Sequence, residues 1–172
     1  GLESGAGTGP FRGRWWNYYE RGRALSDRGS RVRAEEDFRV AIKSRSRDQL
    51  WPRTYGLHFL REYFPHRELG IVLFRHGNRI EEAIRELELS FLQEPSARAA
   101  YFLNRARREW VQSQNLASQA PTIEILEPSS GCVQAEPVAV IAGIARDDTY
   151  ISNVSVNGQK ISLRVSDAEV PF

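Results

Sequence analysis

Methionine is absent from this 172-residue chain, and cysteine occurs once. Without a methionine, Gly1 is not a translation start, so the sequence reads as a processed product or a piece of a longer protein. A lone Cys132 excludes an internal disulfide framework. Its setting, Ser129-Ser130-Gly131-Cys132, is turn-like and reads as a plain buried or half-exposed thiol. A nucleophile needs a base beside it, and all three histidines lie in the other half of the chain. His58, His66 and His76 also lack tight ligand spacing and a cysteine cluster, which argues against a metal site. No apolar run is long enough to cross a membrane, and no signal peptide is recognisable. A glycine-rich phosphate loop, a carboxylate pair and a triad arrangement are all missing. The expectation is a chain without catalytic residues, metal or cofactor.

What is present is unevenly charged. Residues 1–110 hold 21 Lys+Arg against 15 Asp+Glu, and residues 111–172 hold 3 against 7, which together give the net +2. Such asymmetry suggests two modules with different surfaces. In the basic half, arginines alternate with acids, as in Arg33-Ala34-Glu35-Glu36-Asp37 and Glu81-Glu82-Ala83-Ile84-Arg85-Glu86. That reads as solvated helix faces with mixed charge pairs. A basic run tracking a phosphate backbone is lacking, so nucleic acid is not the expected partner.

Two stretches share one spaced set of small and apolar residues. Gly22, Leu25, Gly29, Ala34, Phe38 and Ala41 are separated by 3, 4, 5, 4 and 3 positions. Gly70, Leu73, Gly77, Ala83, Leu87 and Ser90 are separated by 3, 4, 6, 4 and 3, with Pro95 following. This pattern suits a helical hairpin. Small residues let two helices touch where they cross, large ones fill the space between, and a glycine turns the chain. One hairpin cannot bury its own faces, so neighbours must stack. The predicted helices run from about Arg14 or Trp15 to Arg28, Arg31 to Ser44, Pro65 to His76, Ile80 to Gln93 and Ala97 to Ser113. Ser96 is a good N-cap for the last. Residues 1–13 read as a flexible leader. An insertion at 46–64 separates the repeats and carries Trp51, Tyr55, Phe59 and Tyr63 at intervals of four, one stripe if helical.

After a linker at 114–120 the character changes. Residues 122–126 alternate like a strand, 138–145 read as a second, 151–156 as a third, and 160–165 as a fourth. Val170 opens a fifth. Asn157-Gly158 is a strong hairpin-turn signal.

Residues 15–45 and 65–95 resemble tetratricopeptide repeats. The first matches without a gap, though Arg21 stands where leucine is usual; the second has one extra residue in its turn. Residues 121–172 resemble the start of a bacterial immunoglobulin-like domain, through Ile123-Glu124-Ile125-Leu126-Glu127-Pro128, Val138–Ala145 and Val154-Ser155-Val156-Asn157-Gly158. They span roughly half an immunoglobulin sandwich and are expected to be incomplete. The implied fold is multidomain: all-α repeats over 14–113, then an all-β module. The resemblance implies a non-catalytic scaffold of a bacterial envelope, in the periplasm or at the cell surface, with any membrane attachment through a lipid anchor outside these residues. In such repeats the first helix of each hairpin lines the binding groove. Matching the pattern puts Trp16, Tyr19, Arg23 and Asp27 there from the first repeat, and Arg67, Ile71, Phe74 and Arg75 from the second. Aromatics beside arginines suit a protein or peptide segment with an acidic group. The alternatives are the non-catalytic front of a larger enzyme, or a structural spacer.

Overall fold

The computed structural model describes residues 11–114, 120–129, 131–133, 140–163 and 165–172. Five helices occupy the first part: α1 (Trp15–Asp27), α2 (Arg31–Ser44), α3 (Pro65–His76), α4 (Ile80–Gln93) and α5 (Ala97–Ser113). A short hairpin, β1 (Gln49–Leu50) with β2 (Glu62–Tyr63), lies between α2 and α3. Antiparallel strands follow: β3 (Thr122–Glu127), β4 (Ala142–Ile151), β5 (Val154–Val156), β6 (Gln159–Ile161) and β7 (Asp167–Pro171). The arrangement is therefore α followed by β, and the apolar spacing places all five helices within a residue of these bounds.

The chain divides into two compact units, residues 1–99 and 100–172. The division falls inside α5, earlier than the 114–120 linker read from composition. The reason lies in what the second half of α5 touches. Asn104 Oδ1 accepts from the Ser166 amide at 2.8 Å and from its hydroxyl at 3.0 Å, and Arg107 donates to the Ser166 carbonyl. Arg107 also lies 4.5 Å over the Tyr150 ring, which meets Trp110 edge-on. Residues 115–119 of the expected linker lie outside the described residues, as do 1–10 of the expected leader. Phe11 is ordered against the helices, edge-on to Tyr18 at 5.0 Å and beneath the Arg21 guanidinium at 4.2 Å.

In the first unit α1 packs on α2 and α3 on α4, and α2 also meets α3. Both glycine crossings occur. A Cβ at position 22 would come within 2.8 Å of Phe38 Cε1, and one at position 70 within 2.7 Å of Leu87 Cγ. No larger residue fits without moving a neighbour. Ala34, Phe38, Ala41, Leu73, Ala83, Leu87 and Ser90 are fully buried, whereas Leu25 is only half-buried. Gly77 ends α3 at φ +82°, the left-handed cap that favours glycine. Arg21, standing before Gly22 where the second hairpin has Leu69 before Gly70, makes a two-pronged ion pair to buried Asp37 of α2, at 2.7 and 2.6 Å. Glu35 and Arg39 of α2 interlock with Arg79 and Glu82 through four surface ion pairs.

In the second unit β3, β4 and β7 form one sheet in that order, and β5 pairs with β6. Asn157 (φ +50°) and Gly158 (φ +80°) make the tight turn between β5 and β6 that the dipeptide signals. Several bounds differ from those read in the sequence. The second strand starts at Ala142; residues 138 and 139 lie outside the described residues. It runs through Asp147-Asp148 to Ile151, taking up a register shift between Arg146 and Ile151. Cys132 is exposed rather than buried or half-exposed. The core is Ala145, Ile151, Val154 and Val170, with Ile161, Leu163 and Phe172 against it. Arg146 crosses the outer face, pairing with Glu124 and Glu169 at 2.8 Å each.

Gly143 is the tightest point of this sheet. Its amide and carbonyl both bond Phe172, at 2.8 and 2.9 Å, and a Cβ there would lie 2.6 Å from the Glu124 carbonyl oxygen. Backbone cannot yield as a side chain can. Gly143→Ala is expected to destabilise the unit by about 1–3 kcal/mol, read as a lower thermal midpoint; an unchanged midpoint would contradict this packing.

Candidate functional site

The eight residues assigned to the groove separate into two groups. Trp16 is half-exposed, and Arg23, Asp27 and Arg75 are exposed. Tyr19, Arg67, Ile71 and Phe74 are buried, at 1%, 4%, 1% and 8% exposure. The last four belong to the interior and do not line an open groove. The reason is visible along α3, where every residue from Pro65 to Phe74 is buried. A helix covered on all sides has no free face to offer.

Arg67 shows this most clearly. Its guanidinium donates to Glu68 at 2.9 Å, to Glu62 at 3.2 Å and to Ser96 at 3.5 Å, and it lies 4.0 Å over the Phe64 ring. Glu68 is itself buried and accepts from Arg98 at 3.3 Å. Arg67 therefore spends its donors inside the first unit.

Beside it lies a polar cluster that the sequence did not reveal. Asp48, fully buried, accepts from the His66 amide at 3.0 Å and the Arg67 amide at 3.2 Å. It thereby satisfies two of the open N–H groups at the start of α3, as a capping side chain does. It comes from a distant part of the chain, so no local motif marks it. Its own amide donates to Gln93 Oε1 at 2.7 Å. Burial lifts the Asp48 carboxyl above its ordinary range, and the Ser90 hydroxyl, the two amides and the His66 charge pull it back only in part.

His66 is buried between two acceptors. Its Nε2 lies 2.7 Å from the Ser46 carbonyl and its Nδ1 2.6 Å from Glu86 Oε2. A carbonyl can only accept, so Nε2 carries a proton, and an ionised Glu86 calls for a second on Nδ1. Burial alone would lower the pKa. The Glu86 hydrogen bond, the Asp48 and Glu86 charges and the Ser46 carbonyl outweigh it, and the net shift is upward. A raised folded pKa contributes stability that is fully present below the unfolded value and lost as pH rises through the folded value. Urea midpoints should therefore fall as pH is raised from about 6.5, and the fall should shrink in His66→Gln. An equal slope in the variant would remove His66 from this role.

The 46–64 insertion is a β-hairpin rather than a helix. Gln49 pairs with Tyr63, Leu50 with Glu62 and Arg53 with Phe59, and Gly56 turns the chain at φ +53°. Tyr63, inside, lies 2.7 Å from the Arg45 carbonyl and 3.0 Å from the Ala41 carbonyl, and so serves the open end of α2. Pro52 is buried too. Other side chains of the segment are apolar and bare: Trp51 is 62% exposed, Tyr55 60%, Phe59 53% and Leu57 87%. Trp51 sits at φ +52°, a left-handed conformation that costs a non-glycine residue about 1–2 kcal/mol. Its amide still bonds the Arg61 carbonyl at 3.1 Å. Tyr55 stacks on Trp16 of α1 at 6.1 Å and on His58 at 4.5 Å. The exposed half of the α1 set is thus continuous with the hairpin.

Among the described residues no group of three or more His, Cys, Asp or Glu is placed to hold a metal ion. No protein-family model, no curated protein and no solved structure matches the chain.

Proposed function

We propose that the chain is a non-catalytic protein-interaction scaffold of a bacterial envelope, built from two tetratricopeptide-like hairpins and an immunoglobulin-like β module. The observation that carries this is the pair of glycine crossings, Gly22 on Phe38 and Gly70 on Leu87. They are the contacts by which stacked hairpins nest, and such stacks present surfaces rather than reaction centres. The partner is a protein or peptide segment. It meets the exposed line of α1, where Trp16, Arg23 and Asp27 follow one another at helical spacing, together with Tyr55 stacked on Trp16. Trp and Tyr beside Arg are the side chains that dominate binding energy at protein interfaces. Periplasmic or surface location belongs to the same reading and is supported by the β module's likeness.

The test is recovery of partners from an envelope extract by the immobilised full chain and by Trp16→Ala/Arg23→Glu, both changes lying outside the core. Loss of specific partners in the variant supports the reading. Equal recovery counts against this face.

A further inference from the structure

We propose that the exposed apolar part of the β1–β2 hairpin, which adjoins the α1 face at Tyr55, docks on an anionic phospholipid surface. Four large apolar side chains, Trp51, Tyr55, Leu57 and Phe59, stand exposed within one short segment, and the most exposed of them, Leu57, follows the turning glycine at the end of the hairpin. Large apolar side chains left exposed this close together in the chain mark an interaction site. Aromatic rings with an apolar body and a polar tip settle at the level of lipid headgroups.

Charge complementarity selects the occupant. The segment 45–64 contains four arginines, Arg45, Arg47, Arg53 and Arg61, and two acids, Asp48 and Glu62. Both acids are engaged: Asp48 is buried at the start of α3, and Glu62 pairs with Arg67 at 3.2 Å. Arg47, Arg53 and Arg61 are exposed within the same segment. Arginine keeps its head in water or at phosphates while its stem lies along apolar surface. Basic residues flanking an apolar tip match a surface that is apolar beneath and anionic above. Trp51, Tyr55, Leu57 and Phe59 are exposed, whereas Pro52 and Tyr63 of the same segment are buried. The tip can therefore enter the headgroup layer without uncovering the core. Chain crossing plays no part: among the described residues no helix is long and apolar enough to span a bilayer.

The experiment is flotation of the full chain on a density gradient with extruded vesicles. One set is phosphatidylcholine; the other is phosphatidylcholine with phosphatidylglycerol. The wild type is expected to float with the anionic vesicles at low ionic strength, to stay behind with the neutral ones, and to be released as salt is raised. Arg47→Glu/Arg61→Glu is expected to weaken recruitment at least about tenfold, and Leu57→Ser/Phe59→Ser by about tenfold or more. All four positions are exposed, and unchanged far-ultraviolet circular dichroism confirms that the variants fold. Absence of wild-type flotation, equal flotation on neutral vesicles, or flotation of the serine variant as efficient as wild type would each overturn the proposal. So would capture by an immobilised glutamate-rich peptide without flotation, which assigns the side to an acidic protein segment instead.

Discussion

Arg67→Ala is expected to lower the unfolding free energy of the first unit by about 3–5 kcal/mol. The side chain is 4% exposed and bridges Glu62, Glu68 and Ser96. Truncation leaves Glu68 buried without its nearest cation. The remaining partner, Arg98, is longer at 3.3 Å and half-exposed, so it compensates poorly. The stacking on Phe64 is lost as well. Arg23, exposed on α1, is the control: Arg23→Ala should stay within about 0.5 kcal/mol of wild type. Urea unfolding of both variants decides the matter. A mild Arg67→Ala would restore Arg67 to the groove.

Phe38→Ala is expected to cost about 3–5 kcal/mol, the range for deleting a buried phenylalanine. The ring is fully buried, faces the bare backbone of Gly22, and lies 6.1 Å from the Tyr19 ring. It fills the space that the glycine leaves open, so its removal empties the crossing of α1 and α2. An effect below about 1 kcal/mol in urea or thermal unfolding would mean that the crossing collapses freely without it.

The two predictions separate what the sequence made legible from what it did not. Phe38, Ala34 and Ala41 repeat at helical spacing, and spacing of that kind fixes both the element and its inward face. The helix bounds and both glycine crossings follow from it. The same logic misplaced Arg67, Ile71 and Phe74. A helical pattern tells which residues share a face, yet it assumes that one face meets water, and α3 is buried all round from Pro65 to Phe74. The insertion stayed open for a different reason. An interval of four is a multiple of the strand period and close to the helical one, so Trp51, Tyr55 and Phe59 could share a face in either structure. The left-handed turn at Gly56 and the pairing of Arg53 with Phe59 decide for the hairpin. Asp48 had no signal at all, because a cap supplied from another part of the chain leaves no motif. In the second unit Asn157-Gly158 was legible because its turn is local. The passage of β4 through Asp147-Asp148 was not: Asp147 binds the Thr149 amide and hydroxyl at 2.8 and 2.6 Å, and this lets two acids sit within a strand.

The arginines follow the same division. Arg21, where the second hairpin has Leu69, pairs with Asp37 across the first hairpin. Arg67 pairs within the second. Arg23 on α1 and Arg47, Arg53 and Arg61 on the hairpin are left exposed.

The nesting of paired helices at their glycines is tested most directly by a double-mutant cycle between Gly22 and Phe38, read by urea unfolding. In the wild-type background Gly22→Ala adds a methyl 2.8 Å from the Phe38 ring and should destabilise. In the Phe38→Ala background the same methyl enters vacated space, and the helix gains about 1 kcal/mol from alanine over glycine. The sign of the Gly22→Ala effect is therefore expected to reverse between the two backgrounds. Equal effects in both would show that positions 22 and 38 do not meet at a helix crossing.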